Sequence, residues 1–364
     1  MMLAEIIKKL EHWAPPQLQE SYDNSGLIVG KLSNKINGAI VCLDCIESVM
    51  DEAIAAGVNL IIAHHPIVFS GLKRFNGGDY IQRVVEKAIK NDINIYAIHT
   101  NLDNVSQGVN KKLADVLSIQ QPKILAPKTS RYLKLVTFVP VKYVKQVESA
   151  LFEAGAGQVG TYDQCSYQSQ GVGGFRGGED SKPFVGEKGI RSEEQEVRLE
   201  VLVPDFYKNK VTSALMKSHP YEVVAHDWIR LENQTEYGSG MIGQLEKPMT
   251  LGEFLGSVKI NLKANGIRYT ADTGKKIQTI AFCGGSGSFL LNDAKRQNAD
   301  VFLTADYKYH QFFDADNDII ICDVGHFETE QYTIDLIVEF LNKNFPTFAA
   351  RSTQKNTNPI NYFN

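Results

Sequence analysis

The segment VNLIIAHHPIVF, Val58 to Phe69, constrains the fold more than any other stretch of the chain. It follows Gly57, opens as a nearly unbroken apolar run, and then meets two adjacent histidines and a proline. An apolar run of this kind reads as a buried strand, covered on both faces as in a parallel sheet. Neighbouring residues on a strand point to opposite faces. His64 and His65 therefore cannot both continue the core pattern, and Pro66 turns the chain out of the sheet.

The surrounding sequence supplies partners for such a strand. MMLAEIIKKLEHW reads as an amphipathic helix, and YDNSGLIVG as a polar turn leading into a short strand. GAIVCLD (38–44) and INIYAI (93–98) are further strands, while SVMDEAIAAG (48–57) and DYIQRVVEKAIKND (79–92) have helical apolar spacing. The same order recurs near the C-terminus. IQTIAFCGG, DVFLTA and DIIICDVG read as strands, FLLNDAKRQNA as a helix, and YHQFFDADN as a short helix or turn. We read the two halves as a diverged internal duplication, with the loop HPIVFSGLKRFNGGD expanded in the first. Between them, Pro127 to Ile242 has a different character: a strand (Tyr132–Val139), a helix (Val144–Ala154), two strand-like segments around a glycine-rich loop, a helix (Tyr207–Lys217) and a strand (Glu222–Leu231). That is the split βαβ, ferredoxin-like order. The expected fold is α/β: two related α/β units with parallel or mixed sheets (1–126 and 243–364), interrupted by an inserted α+β domain (127–242).

Composition removes several classes of function. The net charge is −4 and no lysine- or arginine-rich block stands out, so an extended nucleic-acid footprint is not indicated. No apolar run approaches a membrane span, and the N-terminal helix has no signal-peptide cleavage site. The five scattered cysteines argue against a disulfide framework and for a reducing, cytoplasmic setting. Cys42 and Cys45 have C-x-x-C spacing without a second pair, which suits two small residues packed at a strand-to-helix turn.

In open α/β sheets, ligands bind beyond the carboxyl ends of the strands. There the sequence places His64 and His65, then HTNLDN with His99, Asn101 and Asp103, then Asp306 and His310, then GHFETE with His326, Glu328 and Glu330. Five of the eight histidines fall at these ends. On a helix starting after Gly325, His326 and Glu330 share one face. Taken together, His64, His65, Asp103, His326 and Glu330 offer nitrogen and oxygen donors suited to zinc first, and to manganese, iron, cobalt or nickel, rather than to calcium. Five ligands exceed what one tetrahedral zinc with an open position needs, and they suffice for two metals. His64 and His65, splayed apart, then give one ligand to each ion. The CGGSGS turn (283–288) is a weaker candidate, a backbone cradle for phosphate. GVGGFRGGEDSKPFVGEKG in the middle segment reads as a mobile loop.

AHHP, HTNLDN, TADYKYHQFFDA and GHFETE, with YDNSGLIVG near the start, resemble the NIF-three-like family of GTP cyclohydrolase I type 2 homologs, over both halves. GTYDQCSYQSQGVGGFRG, SKPFVGEKG and SHPYEVVAHD are similar to the PII-like or CutA-like insert of its longer bacterial members. The resemblance implies a dinuclear metal site on His64, His65, Asp103, His326 and Glu330, with Glu330 as the bridge, and a ring-like homohexamer. Ala305 and Thr329 depart from the family's usual glycine and serine, and neither is a ligand. The implied activity is opening of the guanine imidazole ring of GTP with formate release. His99, Asp306 or His310 would shuttle protons, and CGGSGS or Lys73 and Arg74 would meet phosphates. Two other readings stay open: a metal-binding regulatory or scaffold protein, and a metal-dependent phosphoesterase.

Overall fold

The computed structural model describes residues 1–128, 131–160, 162–234 and 236–363. The chain divides into two compact units, Met1–Pro127 with Glu236–Asn364, and Lys128–Thr235. No helix among the described residues is long and apolar enough to cross a membrane.

The first half begins with β1 (Gly26–Val29), β2 (Ala39–Cys42), β3 (Leu60–Ala63) and β4 (Asn94–Ala97). Every residue of β2, β3 and β4 is buried, which is why their sequences, Asn94 apart, are continuously apolar rather than alternating. These three strands are parallel, with Cys42, Ala63 and Ala97 level across the sheet. Whatever follows each strand therefore emerges at one common edge. The helices Glu47–Ala55 and Tyr80–Lys90 pack Val49, Met50, Val84 and Ala88 onto this sheet, alongside Cys42 and Cys45. Asp79 caps the second helix by accepting the Gln82 amide at 2.8 Å. All five cysteines are free, and Cys42 and Cys45 are buried in the core.

After β5 (Gln120–Pro127) the chain enters the second unit, with β6 (Arg131–Pro140), β7 (Ser166–Arg176), β8 (Arg191–Pro204) and β9 (His226–Gln234). The sheet order is β7-β8-β6-β9, antiparallel throughout. The helices Val144–Glu153 and Lys208–Ser218 bury Val147, Leu151, Val211 and Leu215 against the odd-numbered residues Val197 to Val203 of β8. Two local expectations change here. The GVGGFR part of the expected loop is strand, because Gly171 to Arg176 pair with Glu196 to Arg191. The last strand starts at His226 rather than Glu222: the Tyr221 amide donates to His219 Nδ1 at 3.1 Å, which holds a turn and leaves Val223 82% exposed.

The chain then returns to the first unit through β10 (Gly238–Met249), β11 (Arg268–Tyr269), β12 (Ile277–Ser286), β13 (Val301–Ala305), β14 (Ile320–Asp323) and β15 (Ala350–Ser352). Residues 236–242, expected with the middle segment, lie in the first unit. Gly238 pairs with Pro127 of β5, and Met241 with Phe282 of β12. The stretch GSGMIGQ has too many glycines to read as a strand from sequence. β12, β13 and β14 are parallel and in register, and β11 flanks β14 as β1 flanks β4. The two sheet orders, β1-β4-β3-β2-β15 and β11-β14-β13-β12-β10-β5, repeat one motif of three parallel strands with an antiparallel neighbour. β15 crosses back to lie parallel to β2, so the C-terminus completes the first sheet.

Candidate metal centre

The amides of His64 and His65 donate to the carbonyls of Cys42 (3.0 Å) and Leu43 (2.9 Å), carrying the parallel pairing past the end of β3. His64 is fully buried. Its Nδ1 lies 2.8 Å from the Ile98 carbonyl, which only accepts, so in the neutral imidazole Nδ1 carries the proton and Nε2 presents a lone pair. That Nε2 sits 3.6 Å from Asp103 Oδ1 and 3.8 Å from Glu330 Oε2. Both His64 Nε2 and Asp103 Oδ1 are buried without a hydrogen-bond partner. Asp103 is held there by the short helix Thr100–Asp103 that follows β4.

The second cluster forms around the same carboxylate. Glu330 Oε2 lies 2.9 Å from His65 Nε2 and 3.0 Å from His326 Nε2, and these two nitrogens are 3.3 Å apart. The helix His326–Glu330 places its first and last residues on one turn. Gly325, at φ +112°, turns the chain from β14 into this helix, and a Cβ there would lie 2.2 Å from Glu328 Oε2. Each imidazole is oriented from behind: His65 Nδ1 by Asp44 Oδ1 at 2.7 Å, and His326 Nδ1 by Asp306 Oδ2 at 2.7 Å. Carboxylates that hold the far nitrogen of a histidine fix its tautomer and raise its basicity as a ligand.

The charge state shows how much positive charge this carboxylate attracts. Burial opposes ionisation of Glu330, yet His326 and the other imidazoles hold its pKa well below the ordinary carboxyl value. Burial would lower His65, but hydrogen bonds to Asp44 and Glu330 outweigh it and raise it to about 9. Glu330 is the main cause that lifts His326 to about 11. Asp103 is pushed up to about 7 by burial and then by Glu330. Metal-free, the centre gathers protons around Glu330; a divalent cation would satisfy the same field.

Two groups of donor atoms lie within 4.8 Å of one another and share one residue: His64, Asp103, Glu330 and His65, His326, Glu330. His64, His65 and His99 form a third such group. The His99 ring is 5.3 Å from that of His64 and 5.2 Å from that of His65. Its Nδ1 is held by Asp23 Oδ1 at 2.7 Å, and Asp23 also accepts from the Ser25 hydroxyl and the Thr100 amide. Despite its burial Asp23 stays below the ordinary carboxyl range, chiefly through His99.

The other sequence candidates divide between the edge of the centre and positions away from it. Asp306 reaches the centre through His326, while His310 is exposed and packs against Tyr309 and Phe313. Lys73 and Arg74 are exposed and do not line the cavity that opens onto the centre. CGGSGS is a wall of the centre rather than an open cradle. The Gly284 and Gly285 amides already donate to Asn110 Oδ1 and Thr329 Oγ1, both at 3.0 Å. Thr329 thus keeps the hydroxyl that a serine would supply. Asp44, Asp23 and Thr357, whose hydroxyl donates to Asp44 Oδ2 at 2.9 Å, were not singled out from sequence. The cavity has a volume of about 420 Å³, and Tyr22, Phe69 and Phe289 contribute aromatic walls. No lysine or arginine lines it among the described residues.

Comparison with known proteins gives a consistent picture. Residues 1–359 match the family model described as Duf34/NIF3 (NGG1p interacting factor 3). A Bacillus subtilis protein named GTP cyclohydrolase 1 type 2 homolog is 41% identical over 326 residues, covering 89% of this chain and 87% of its own. A Staphylococcus epidermidis protein of the same name is 34% identical over 368 residues, with 100% of both chains covered. Among solved structures, a Bacillus cereus protein related to NIF3 superimposes with a TM-score of 0.83 at 36% identity, over 100% of this chain and 99% of that one.

Proposed function

Since the chain belongs to the Duf34/NIF3 family, we propose that it is a dinuclear metal-dependent hydrolase acting on a purine nucleotide, with GTP as the first candidate. One divalent ion would be held by His64, Asp103 and Glu330, and a second by His65, His326 and Glu330, with Glu330 bridging. The observation that carries this reading is the pair of orphaned buried atoms, His64 Nε2 and Asp103 Oδ1, 3.6 Å apart. A buried acceptor facing another acceptor costs about 1–3 kcal/mol if nothing lies between them. A cation removes that cost, and the mixed nitrogen and oxygen donors suit zinc and its first-row neighbours. Such ions supply Lewis-acid polarisation and lower the pKa of water towards neutrality.

This chain's own residues contribute the rest. Asp44 and Asp306 hold His65 and His326 with Nε2 turned inward. Asp23 does the same for His99, leaving His99 Nε2 as the atom that would carry a proton to or from the substrate. Tyr22, Phe69 and Phe289 suit the faces of a planar ring. The absence of lysine and arginine from the lining, among the described residues, favours attack on that ring over attack on a phosphate. The B. subtilis relative's name, GTP cyclohydrolase 1 type 2 homolog, supports GTP as the substrate, and opening of the guanine imidazole ring with formate release is the activity that the sequence resemblance implies.

The test is metal analysis of tag-free protein, followed by incubation with GTP. Two metals per chain and formate release support the proposal. Phosphate release would replace it with phosphoester hydrolysis, and inertness across a nucleotide panel would leave a metal-binding protein without turnover. A His65→Ala variant that kept its full metal content would sink the dinuclear assignment on its own.

A further inference from the structure

Far from the metal ligands in sequence, the second unit encloses a cavity of about 640 Å³. It lies on the face of the sheet opposite the two helices. The odd-numbered residues of β8 from Val197 to Val203 face the helices, whereas Glu196 and Arg198 line the cavity with Phe138 and Gly171, their neighbours across the sheet. The 177–190 loop brings Phe184 over it, and the turn after His219 brings Tyr221. Phe184 is 50% exposed yet is fixed by Tyr143 and Tyr221, with ring centroids 5.6 and 6.1 Å away.

The floor of this cavity is a carboxylate. Glu196 is only 8% exposed, and its Oε1 accepts the Tyr221 hydroxyl at 2.7 Å. Burial and the Glu196 charge both push the Tyr221 phenol upward, so it remains a neutral donor. Glu196 Oε2 lies against the bare backbone of Gly173, where a Cβ would come within 2.1 Å of it. This is what the glycine-rich strand provides: room for a glutamate to fold down onto β7. Glu196 has no cationic partner among the described residues. The nearby Arg198 Nε is committed to Glu200 Oε1 at 2.9 Å, and Glu200 also takes Lys134. Glu222 is held by the Lys182 amide at 2.8 Å, and Lys182, an exposed residue, also lines the cavity without an ion-pair contact to Glu196. The neighbouring His219 imidazole is pushed down by burial and adds no fixed positive charge, which leaves this buried carboxylate, answered by a phenol, short of cations.

We propose that this cavity is a second binding site, separate from the metal centre, for an organic cation: an amine or amidine attached to an aromatic ring. The carboxylate is acceptor-only and would take N–H donors on Oε2. Phe138, Phe175, Phe184 and Tyr221 offer ring faces to the cation and to the ring behind it. Anions are disfavoured beside Glu196. The volume falls within the roughly 300–1,000 Å³ usual for small-molecule sites.

Calorimetric titration of the full-length, metal-loaded protein with benzamidine and its neutral isostere benzamide tests this. Benzamidine should bind and benzamide should bind at least about tenfold more weakly. Glu196→Gln keeps the shape and an acceptor for Tyr221 but removes the charge, so benzamidine should lose at least about tenfold in affinity. Phe184→Ala, at a half-exposed position with little risk to folding, should weaken it severalfold. Unchanged Trp228 fluorescence and circular dichroism would certify each variant's fold. Equal affinity for the two probes, benzamidine binding unaffected by Glu196→Gln, or no benzamidine binding would each overturn the proposal.

Discussion

At Gly285 the backbone turns with φ +60°, and a Cβ there would lie 2.2 Å from Glu330 Oε1 and 3.2 Å from His326 Cε1. Gly285→Ala should therefore displace the shared carboxylate as well as incur about 1–2 kcal/mol of left-handed strain. Metal affinity measured by chelator competition should fall at least about tenfold; native-like affinity would show that Glu330 is not the shared ligand. The same centre gives a pH prediction for metal-free protein. His65 is raised from its usual 6.5 to about 9. Its stabilising contribution is thus fully present below about pH 6.5 and lost as pH rises through about 9. Asp103, raised to about 7, loses its contribution over a lower range, from its usual 3.8 upward. Asp44 and Glu330 are lowered, so theirs exists above the ordinary carboxyl range and is lost on acidification. The melting temperature of chelator-treated protein should then fall between pH 6.5 and 9. The stabilisation added by zinc should grow over the same interval, because the ligands must deprotonate to bind it. A flat or rising metal-free curve would contradict this charge arrangement. That the candidate ligands His64, His65, Asp103, His326 and Glu330 come together was legible in the sequence, because each sits at a strand end or on one helical turn. Asp44 and Thr357 were not. They act through hydrogen bonds spanning 21 and 313 residues; Asp44 sits at the end of β2 as the ligands sit at their strand ends, but nothing local marks the partners it holds.

Among the elements, the C-terminal tail after β15 shows how a segment with no regular structure can still set a site. Thr357 is buried, and its hydroxyl reaches Asp44 Oδ2 while Asp44 Oδ1 holds His65. Asn358 Nδ2 donates to Glu328 Oε1 at 3.2 Å, tying the same tail to the helix that carries His326 and Glu330. Thr357→Val keeps the volume and removes the donor. It should weaken one of the two proposed metal sites by about tenfold, the low end for a partner behind the ligand, and leave the other unchanged, giving a biphasic chelation curve. Monophasic release at native affinity would mean that Asp44 needs no support from the tail. The glycine-rich β7 teaches a related lesson. Sequence marks GVGG as a loop because glycine weakens a strand, yet β8 supplies a continuous partner, and the missing side chains make space for Glu196. In both cases the deciding contact comes from another element, which periodicity along one element does not reveal.

At the scale of the whole molecule, the alternation of strands and helices made the two α/β halves readable, since strands buried on both faces announce themselves as apolar runs. The crossing of β15 into the first sheet was not readable, because the three residues Ala350–Ser352 carry no such run. Nor was the C-terminal boundary of the second unit, expected at 242, whereas that unit ends at Thr235, ahead of β10. That boundary carries a prediction. Pro127 and Gly238 are paired across two antiparallel strands, so the ends left by removing residues 128–235 already lie side by side. A short turn can join neighbouring antiparallel strands without disturbing their register. All five candidate ligands, and Asp44, Asp306, Asp23 and Thr357 behind them, lie outside the removed stretch. A chain in which an Asn-Gly turn replaces 128–235 should fold cooperatively and bind metal within about threefold of the full-length affinity, since every candidate ligand and the residues that orient it belong to the retained unit. Its binding of benzamidine should be abolished. Loss of metal from a folded deletion protein would show that the centre depends on the second unit, and would refute the independence of the two sites.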